Sequence, residues 1–338
     1  MAKIAVESAG DLERRRATAP RLVSRLLAEA DDWTVADLVC NAGPQDRPFE
    51  EQHAQVSIAL VLAGTFQYRA AGGRRGAGEL MTPGSVLLGN AGAPFECGHE
   101  HGVGDRCLSF HFAPEYFQRI AADAGVGPGN RVFPVPRLPA LRALSPLLAR
   151  ALAALRDDRG GVNGWSSEVS WEELGLELAA RTSRLASHAG EDRREALPSA
   201  LARVTRAIRT IEECREANPT VSLLAREARL SSYHFLRTFR QLTGLTPHQY
   251  VRRVRLREAA ARLVAERAKV LDIALDSGFG DVSNFNHAFR SEFEMSPREF
   301  RRVRSGVILS PSLVILSAAK NLGSALRINS AKDLCSCP

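Results

Sequence analysis

The sequence predicts an α+β protein in which a β-rich front half is followed by an all-α C-terminal third. Three observations lead to this prediction. Short apolar runs with Gly and Pro turns between them fill residues 33–112, which is typical of a small barrel or sandwich. Apolar residues then recur at helical spacing over 138–155 and 168–185. Finally, a short helix, a turn and a longer amphipathic helix occur twice after residue 198.

The β-rich stretch is divided by clear turn signals. Apolar runs predict strands over 56–62, 66–69 and 85–88, and the Gly- or Pro-containing segments 63–65, 71–73 and 83–84 separate them. Within the helical stretch, Trp171, Leu174, Leu178 and Leu185 are spaced to form one helix face. These helices are expected to cover the barrel or to pair between subunits.

Composition limits the kind of protein this is. A chain of 338 residues can bury two ordinary cores, and six cysteines are too few for a disulfide scaffold. No secretory signal or long apolar run is seen, so we expect a cytoplasmic protein without a membrane span. No cofactor is implied.

Positive charge is concentrated near the C-terminus. Residues 199–305 carry 20 Lys and Arg against 12 Asp and Glu, whereas residues 1–198 carry 22 against 25. A basic module joined to a mildly acidic one predicts that only the basic module meets a polyanion. The run 252–257 holds four arginines, which we interpret as a solvated helix face with some steering charge.

The repeated pattern has the form of two helix-turn-helix units. The first spans 221–240 and the second 270–290, and each ends in Phe-Arg. In such a unit the first helix braces the second, which can lie in the DNA major groove. Gly278 stands where the second turn needs a positive φ or a close helix approach.

These residues resemble the AraC/XylS family of transcription regulators over about residues 200–303. The resemblance is carried by Gly244, Leu245, Thr246, Pro247, Tyr250, Arg255, Leu256, Ala259, Ala260, Arg262, Leu263, Ile273, Ala274, Gly278, Phe279, Phe285, Phe289, Arg290, Met295, Ser296, Pro297, Arg298, Glu299, Phe300 and Arg301. The apolar members of the pattern are expected in the core, namely Leu223, Ala225, Phe235, Phe239, Ile273, Ala274, Phe285 and Phe289.

The candidate DNA-binding residues are polar positions on the second helix of each unit. They are Ser232, Tyr233, Arg237 and Arg240 in the first unit, and Ser283, Asn286, His287 and Arg290 in the second. The resemblance implies that Tyr233, Arg237, Ser283 and His287 face base edges. Arg237 suits guanine and Asn286 suits adenine, while Arg240 and Arg290 suit phosphates. A merely solvated polar face is the alternative for any one of them.

The front half resembles, more loosely, a cupin-type sensor domain. Residues 78–88 look like a cupin motif, but the histidine that a metal-binding cupin places after Pro83-Gly84 is absent. A cluster nearby offers the candidate metal ligands Cys97, His99, His101 and Cys107, spaced to share a strand face. We favour ordinary strand residues, some lining a ligand pocket, and keep a metal site or a redox-sensing thiol pair as alternatives.

The sequence thus predicts a cupin-like sensor (1–135), a helical dimerisation or connecting segment (136–187), a linker (188–198), a DNA-binding domain (199–305) and a low-information tail (306–338). The resemblance implies a homodimeric, non-enzymatic transcription regulator that binds double-stranded DNA and a small-molecule effector, with RNA polymerase as a possible partner. A cupin-type enzyme or a metal or redox sensor fused to a DNA-binding module is the alternative. A DNA-repair methyl acceptor is a third class, but no transfer-cysteine motif stands beside Cys214, Cys335 or Cys337.

Overall fold

The computed structural model describes residues 22–70, 78–127, 132–157, 170–189, 197–213 and 219–304. Within these residues the strands are β1 Leu22–Ala30, β2 Trp33–Cys40, β3 Phe49–Gln52, β4 Val56–Gly64, β5 Phe66–Ala70, β6 Glu79–Met81, β7 Val86–Gly89, β8 Pro94–Gly98, β9 Asp105–Phe112 and β10 Arg137–Leu138. The helices are α1 Pro114–Asp123, α2 Ser145–Asp157, α3 Trp171–Ser187, α4 Pro198–Glu213, α5 Val221–Glu227, α6 Ser232–Thr243, α7 Pro247–Ala265, α8 Val270–Asp276, α9 Val282–Phe293 and α10 Pro297–Arg304. The predicted order, β-rich and then all-α, is confirmed.

The strands form two antiparallel sheets. One has the order β1-β2-β9-β4-β7-β10 and the other β3-β8-β5-β6. Alternate residues of β4 serve two cores: Val56, Ile58 and Leu60 pack toward the helices, whereas Ala59 and Val61 face the second sheet. Because both faces of β4 are covered, residues 56–61 of the predicted strand are all buried, and all but Ser57 are apolar.

Helices α1, α2 and α3 cover the outer face of the larger sheet. Leu174 and Leu178 are fully buried there, and Trp171 packs beside Phe110, as the helical spacing predicts. The Ser170 hydroxyl accepts a hydrogen bond from the Glu173 amide and so caps the start of α3.

The helices from α4 to α10 build the second domain. Helices α5 and α6 form the first helix-turn-helix unit, α8 and α9 the second, and the long α7 joins them. The predicted core residues Ala225, Phe235, Phe239, Ile273, Ala274, Phe285 and Phe289 are buried. The prediction that Leu223 lies in the core is wrong: its side chain is only half-buried, and Leu224 is buried in the core instead. The Thr220 cap sets where α5 begins, and thereby turns Leu224 rather than Leu223 inward.

The arginine run in α7 also differs from the prediction. Only Arg252 of the four arginines is exposed. Arg255 donates to the Gly278 carbonyl (2.9 Å), and Arg257 lies 3.3 Å from a Glu212 carboxylate oxygen. The run is therefore mainly structural, since α7 lies between the two units and its guanidinium groups bind the elements on either side.

The two domains pack on each other through residues 137–145. Arg137, buried, donates to the Thr243 carbonyl at the end of α6 (3.4 Å). Ser145, at the start of α2, donates to the carboxylate of Glu292 in the last turn of α9. Arg253 contacts both the Ala140 carbonyl and Glu292. Both second helices are thus attached to the front domain at their C-terminal ends.

Several expectations fall outside the described residues. They are the turn at 71–73, the central part of the linker (190–196) and the tail 306–338.

Candidate nucleic-acid interface and barrel cavity

Each candidate recognition helix begins at a side-chain cap. The Ser231 hydroxyl accepts from the His234 amide at the start of α6 (3.3 Å), and the Asp281 carboxylate accepts from the Asn284 amide at the start of α9 (2.7 Å). Such caps satisfy the free amides of the first turn and fix where each helix starts. The phenylalanines that follow, two in α6 and three in α9, then point into the core.

The outward faces of α6 and α9 carry the same four-position pattern. The exposed positions of α6 include Tyr233, Leu236, Arg237 and Arg240, and those of α9 include Ser283, Asn286, His287 and Arg290. Each set has the spacing i, i+3, i+4, i+7, which is one helix face. We call these two sets the α6 stripe and the α9 stripe. All eight candidate DNA-binding residues, Ser232 among them, are exposed.

The α6 stripe contains a residue that the sequence reasoning missed. Leu236 is 39% exposed and lies between Tyr233, 70% exposed, and Arg240. Its place on the stripe follows from the i+3 spacing, which could have identified it. An apolar side chain on such a face can contact a thymine methyl group.

Arginines on the stripes differ from those of α7. Among the described residues, neither Arg237 nor Arg240 lies within ion-pair distance of a carboxylate, whereas Arg262 is bound to both Glu266 and Asp276. The stripe guanidinium groups therefore keep their donors for an external acceptor, such as a phosphate or a guanine edge.

The turns of the two units are built differently. Gly278 has φ +80°, as predicted, and a Cβ there would lie 2.8 Å from Cζ of Arg255. In the first unit Arg229 occupies the left-handed region with φ +52°. Three residues separate α5 from its following cap residue Ser231, whereas four separate α8 from Asp281. The second recognition helix therefore starts one residue later in its unit.

The front domain encloses a cavity of about 290 Å³ between the two sheets. Its lining combines apolar side chains, such as Leu38, Phe66 and Leu87, with polar and ionisable ones. The polar or ionisable lining residues include Cys40, Glu51, Gln52, His53, Ser57, Cys97, His99, Asp105, Cys107, Ser109 and His111. Volume and mixed lining are those of a small-molecule pocket.

Burial shifts the titration of several cavity groups. It lowers the pKa of His53 to about 4 and also lowers the pKa of His111, because the charged imidazolium is poorly solvated there. It raises the pKa of the Cys97 and Cys107 thiols well above the usual range for the same reason. His53 bonds to the Tyr68 hydroxyl (2.8 Å), and His111 bonds to the hydroxyls of Ser57 and Ser109.

The candidate metal ligands do not share a strand face. Strand β8 ends at Gly98, so His99 and His101 lie in the turn that follows. This corrects the strand alternation assumed for them. Cys97, His99 and Cys107 line the cavity, while His101 lies outside that lining, 4.0 Å from Glu100. Two cavity residues that the sequence reasoning missed, Cys40 and Asp105, stand opposite each other on β2 and β9.

No helix in the described part of the chain is long and apolar enough to cross a bilayer. A family model for an AraC-like ligand-binding domain matches residues 40–179, and one for a helix-turn-helix domain matches residues 224–303.

Among curated proteins, the HTH-type transcriptional activator RhaS of Escherichia coli (strain SE11) is 32% identical over 161 residues, which cover 47% of this chain and 55% of RhaS. The matched region thus spans about half the length of such relatives. Two solved structures are similar. A transcriptional regulator with an AraC-type DNA-binding domain from Chromobacterium violaceum is 26% identical, with 31% of this chain and 95% of that one covered and a TM-score of 0.30. ToxT from Vibrio cholerae O395 is 12% identical, with 82% and 100% covered and a TM-score of 0.32.

Proposed function

We propose that this chain is an AraC-family, sequence-specific transcription regulator controlled by an effector, because its sequence matches an AraC-like ligand-binding domain and, after it, a helix-turn-helix domain. The observation that carries the proposal is the matched pair of exposed stripes on α6 and α9. Two units in one chain read two half-elements when each second helix enters a major groove.

Each stripe has residues suited to base edges and residues suited to the backbone. Arg237 can donate two parallel hydrogen bonds to a guanine, and Asn286 can pair with an adenine. Arg240 and Arg290 lie one turn further along, at the end of each helix, where they suit phosphates. Base contacts of this kind contribute about 1–3 kcal/mol of discrimination each.

The effector site in this proposal is the barrel cavity. Leu87 lines it and pairs with Arg137 across β7 and β10. Arg137 in turn reaches the end of α6, and the adjoining segment reaches the end of α9 through Arg253 and Glu292. An effector that binds one arrangement of these contacts more tightly shifts how the two stripes are presented to DNA.

The proposal has further parts. The chain acts as a homodimer in the cytoplasm, regulates RNA polymerase at a promoter and is not an enzyme. The relatives named as transcriptional activators support the last part. A cupin-type enzyme is disfavoured because Val86, Leu87 and Leu88 follow Pro83-Gly84 where a metal-binding cupin has a histidine.

The test is a binding selection from sheared genomic DNA with the full-length protein and with Arg237→Ala plus His287→Ala. The matched control is Arg226→Ala plus His248→Ala, which removes the same residue types from exposed positions off the stripes. We expect wild type and control to enrich one element with two separated halves, and the stripe variant to lose it. Equal enrichment by all three proteins would refute the assignment of the stripes.

A further inference from the structure

Three side chains from both sheets of the barrel converge at one end of the cavity. Cys40 ends β2 and stands opposite Asp105, the first residue of β9. His99 follows β8 of the smaller sheet. One potential ligand atom from each of the three lies within 4.8 Å of the other two. A thiol, an imidazole and a carboxylate therefore face one point, although they are far apart in sequence.

The imidazole of His99 carries an unsatisfied polar atom. Its side chain is 2% exposed, and Nε2 lies 2.6 Å from Asp105 Oδ1. Nδ1 is buried and has no hydrogen-bond partner. Buried polar atoms are nearly always satisfied, and leaving one unpaired costs free energy. The nitrogen that meets the carboxylate is Nε2, so Nε2 is the atom of this ring that can bind an ion shared with Asp105.

A second thiol lies next to this set. Cys107 is two residues after Asp105 on β9, so its side chain points to the same face, and its Sγ lies 3.3 Å from Asp105 Oδ2. Cys107 is not one of the three residues whose ligand atoms lie within 4.8 Å of one another, but its thiol is next to Asp105. With it the site offers two sulfurs, one imidazole nitrogen and one carboxylate oxygen, which are donors of the zinc class. Magnesium and calcium prefer all-oxygen sites, so the thiols argue against them.

The other cavity histidines are already engaged. Both ring nitrogens of His111 bond to serine hydroxyls, and Nε2 of His53 bonds to Tyr68. His99 differs from them, because its ring forms a hydrogen bond with a carboxylate that can itself bind a cation.

We infer that Cys40, His99, Asp105 and Cys107 bind a zinc-class divalent cation at the wall of the barrel cavity. The inference rests on the proposed function only for the role of that cavity as the sensing site. Bond lengths of about 2.0–2.3 Å to a tetrahedral ion separate ligand atoms by about 3.3–3.8 Å. The His99–Asp105 contact must therefore open by about 1 Å as the ion enters. Each cysteine binds as a thiolate and releases its proton to solvent.

The experiment uses the full-length, reduced, metal-free protein with Zn²⁺ in competition with a chromophoric chelator, and Co²⁺ as a spectroscopic probe. We expect one tight Zn²⁺ per chain and a thiolate-to-cobalt charge-transfer band. Cys40→Ser should weaken Zn²⁺ binding at least about 100-fold, because changing even outer-shell partners weakens metal binding about 10- to 100-fold. Asp105→Asn keeps both thiols and the side-chain shape, and should weaken binding at least about 10-fold.

The matched control is Cys97→Ser, which removes another buried cavity thiol outside the proposed set. It should bind Zn²⁺ within about twofold of wild type, well short of the loss expected for a ligand. Absence of tight Zn²⁺ binding by wild type would overturn the inference, as would Cys40→Ser or Asp105→Asn binding like wild type. The DNA selection is run on the same preparations. Selection without Zn²⁺ binding refutes this inference alone, and Zn²⁺ binding without selection refutes the proposed function alone.

Discussion

The buried ion pair between Arg253 and Glu292, at the surface of the second domain that meets Ser145, supplies a quantitative prediction. The Glu292 side chain is 7% exposed, lies 3.2 Å from Nε of Arg253 and accepts a hydrogen bond from Ser145. Glu292→Gln keeps the shape but removes the charge, which leaves the Arg253 guanidinium, 15% exposed, without its counter-charge. Fully exposed pairs contribute about 0–1 kcal/mol, whereas breaking a buried one costs about 3–5 kcal/mol. The burial here is close to the second limit, and we expect a loss of about 2–3 kcal/mol.

The matched control is Glu266→Gln, which removes the same kind of charge from an exposed pair. Glu266 is 41% exposed and lies 3.0 Å from Arg262 in an i,i+4 pair. We expect this change to cost about 0.3–0.5 kcal/mol. Urea unfolding of the full-length proteins at neutral pH measures both free energies. If the two variants lose the same free energy within about 0.5 kcal/mol, the buried Arg253–Glu292 pair does not contribute as the structure implies.

Two further predictions concern the barrel and the first turn. Burial lowers the pKa of His53 to about 4 against 6.5 in the unfolded chain, so below pH 6.5 the unfolded chain binds a proton that the folded chain refuses. The free energy of unfolding therefore falls as the pH is lowered from 6.5 to 4. His53→Gln should remove about 2 kcal/mol of the loss between pH 7 and pH 5, which urea unfolding at both pH values measures. If the pH profiles of wild type and variant coincide, the reasoning is contradicted. Arg229→Gly should raise the free energy of unfolding by about 0.5–1 kcal/mol, because φ +52° strains a side chain. Arg226→Gly, inside α5, should lower it by about 1 kcal/mol, and an equal loss in both would refute the reasoning.

The helical domain could be predicted from the sequence because its signals are local. Helix spacing and the repeated Phe-Arg pattern lie within a few residues of each other, and they identified every residue of the α6 and α9 stripes except Leu236. The prediction that Leu223 is buried was wrong, because the apolar pattern does not distinguish between the two adjacent leucines of α5. The cap at Thr220 determines that Leu224 is the one that turns inward.

The barrel cluster could be predicted only in part. The sequence predicted the candidate ligands Cys97, His99, His101 and Cys107 because they are close together in the chain. Cys40 and Asp105 were missed, since only the pairing of strands brings them next to His99. Register between strands that are 65 residues apart is set by tertiary packing, which no short spacing reveals. The contacts of residues 137–145 with α6 and α9 could not be predicted for the same reason, since they join two domains that are far apart in the sequence.

The central claim is that both units read base sequence through their stripes. The most direct measurement is the affinity of wild type, Arg237→Ala and His287→Ala for the selected element and for versions with single base changes, at several salt concentrations. We predict that each variant loses about 1–3 kcal/mol and becomes indifferent to base changes in one half-element only, a different half for each variant. A uniform loss across all sequences, with a shallower salt dependence, would mean that these residues contact phosphates alone and would contradict the claim.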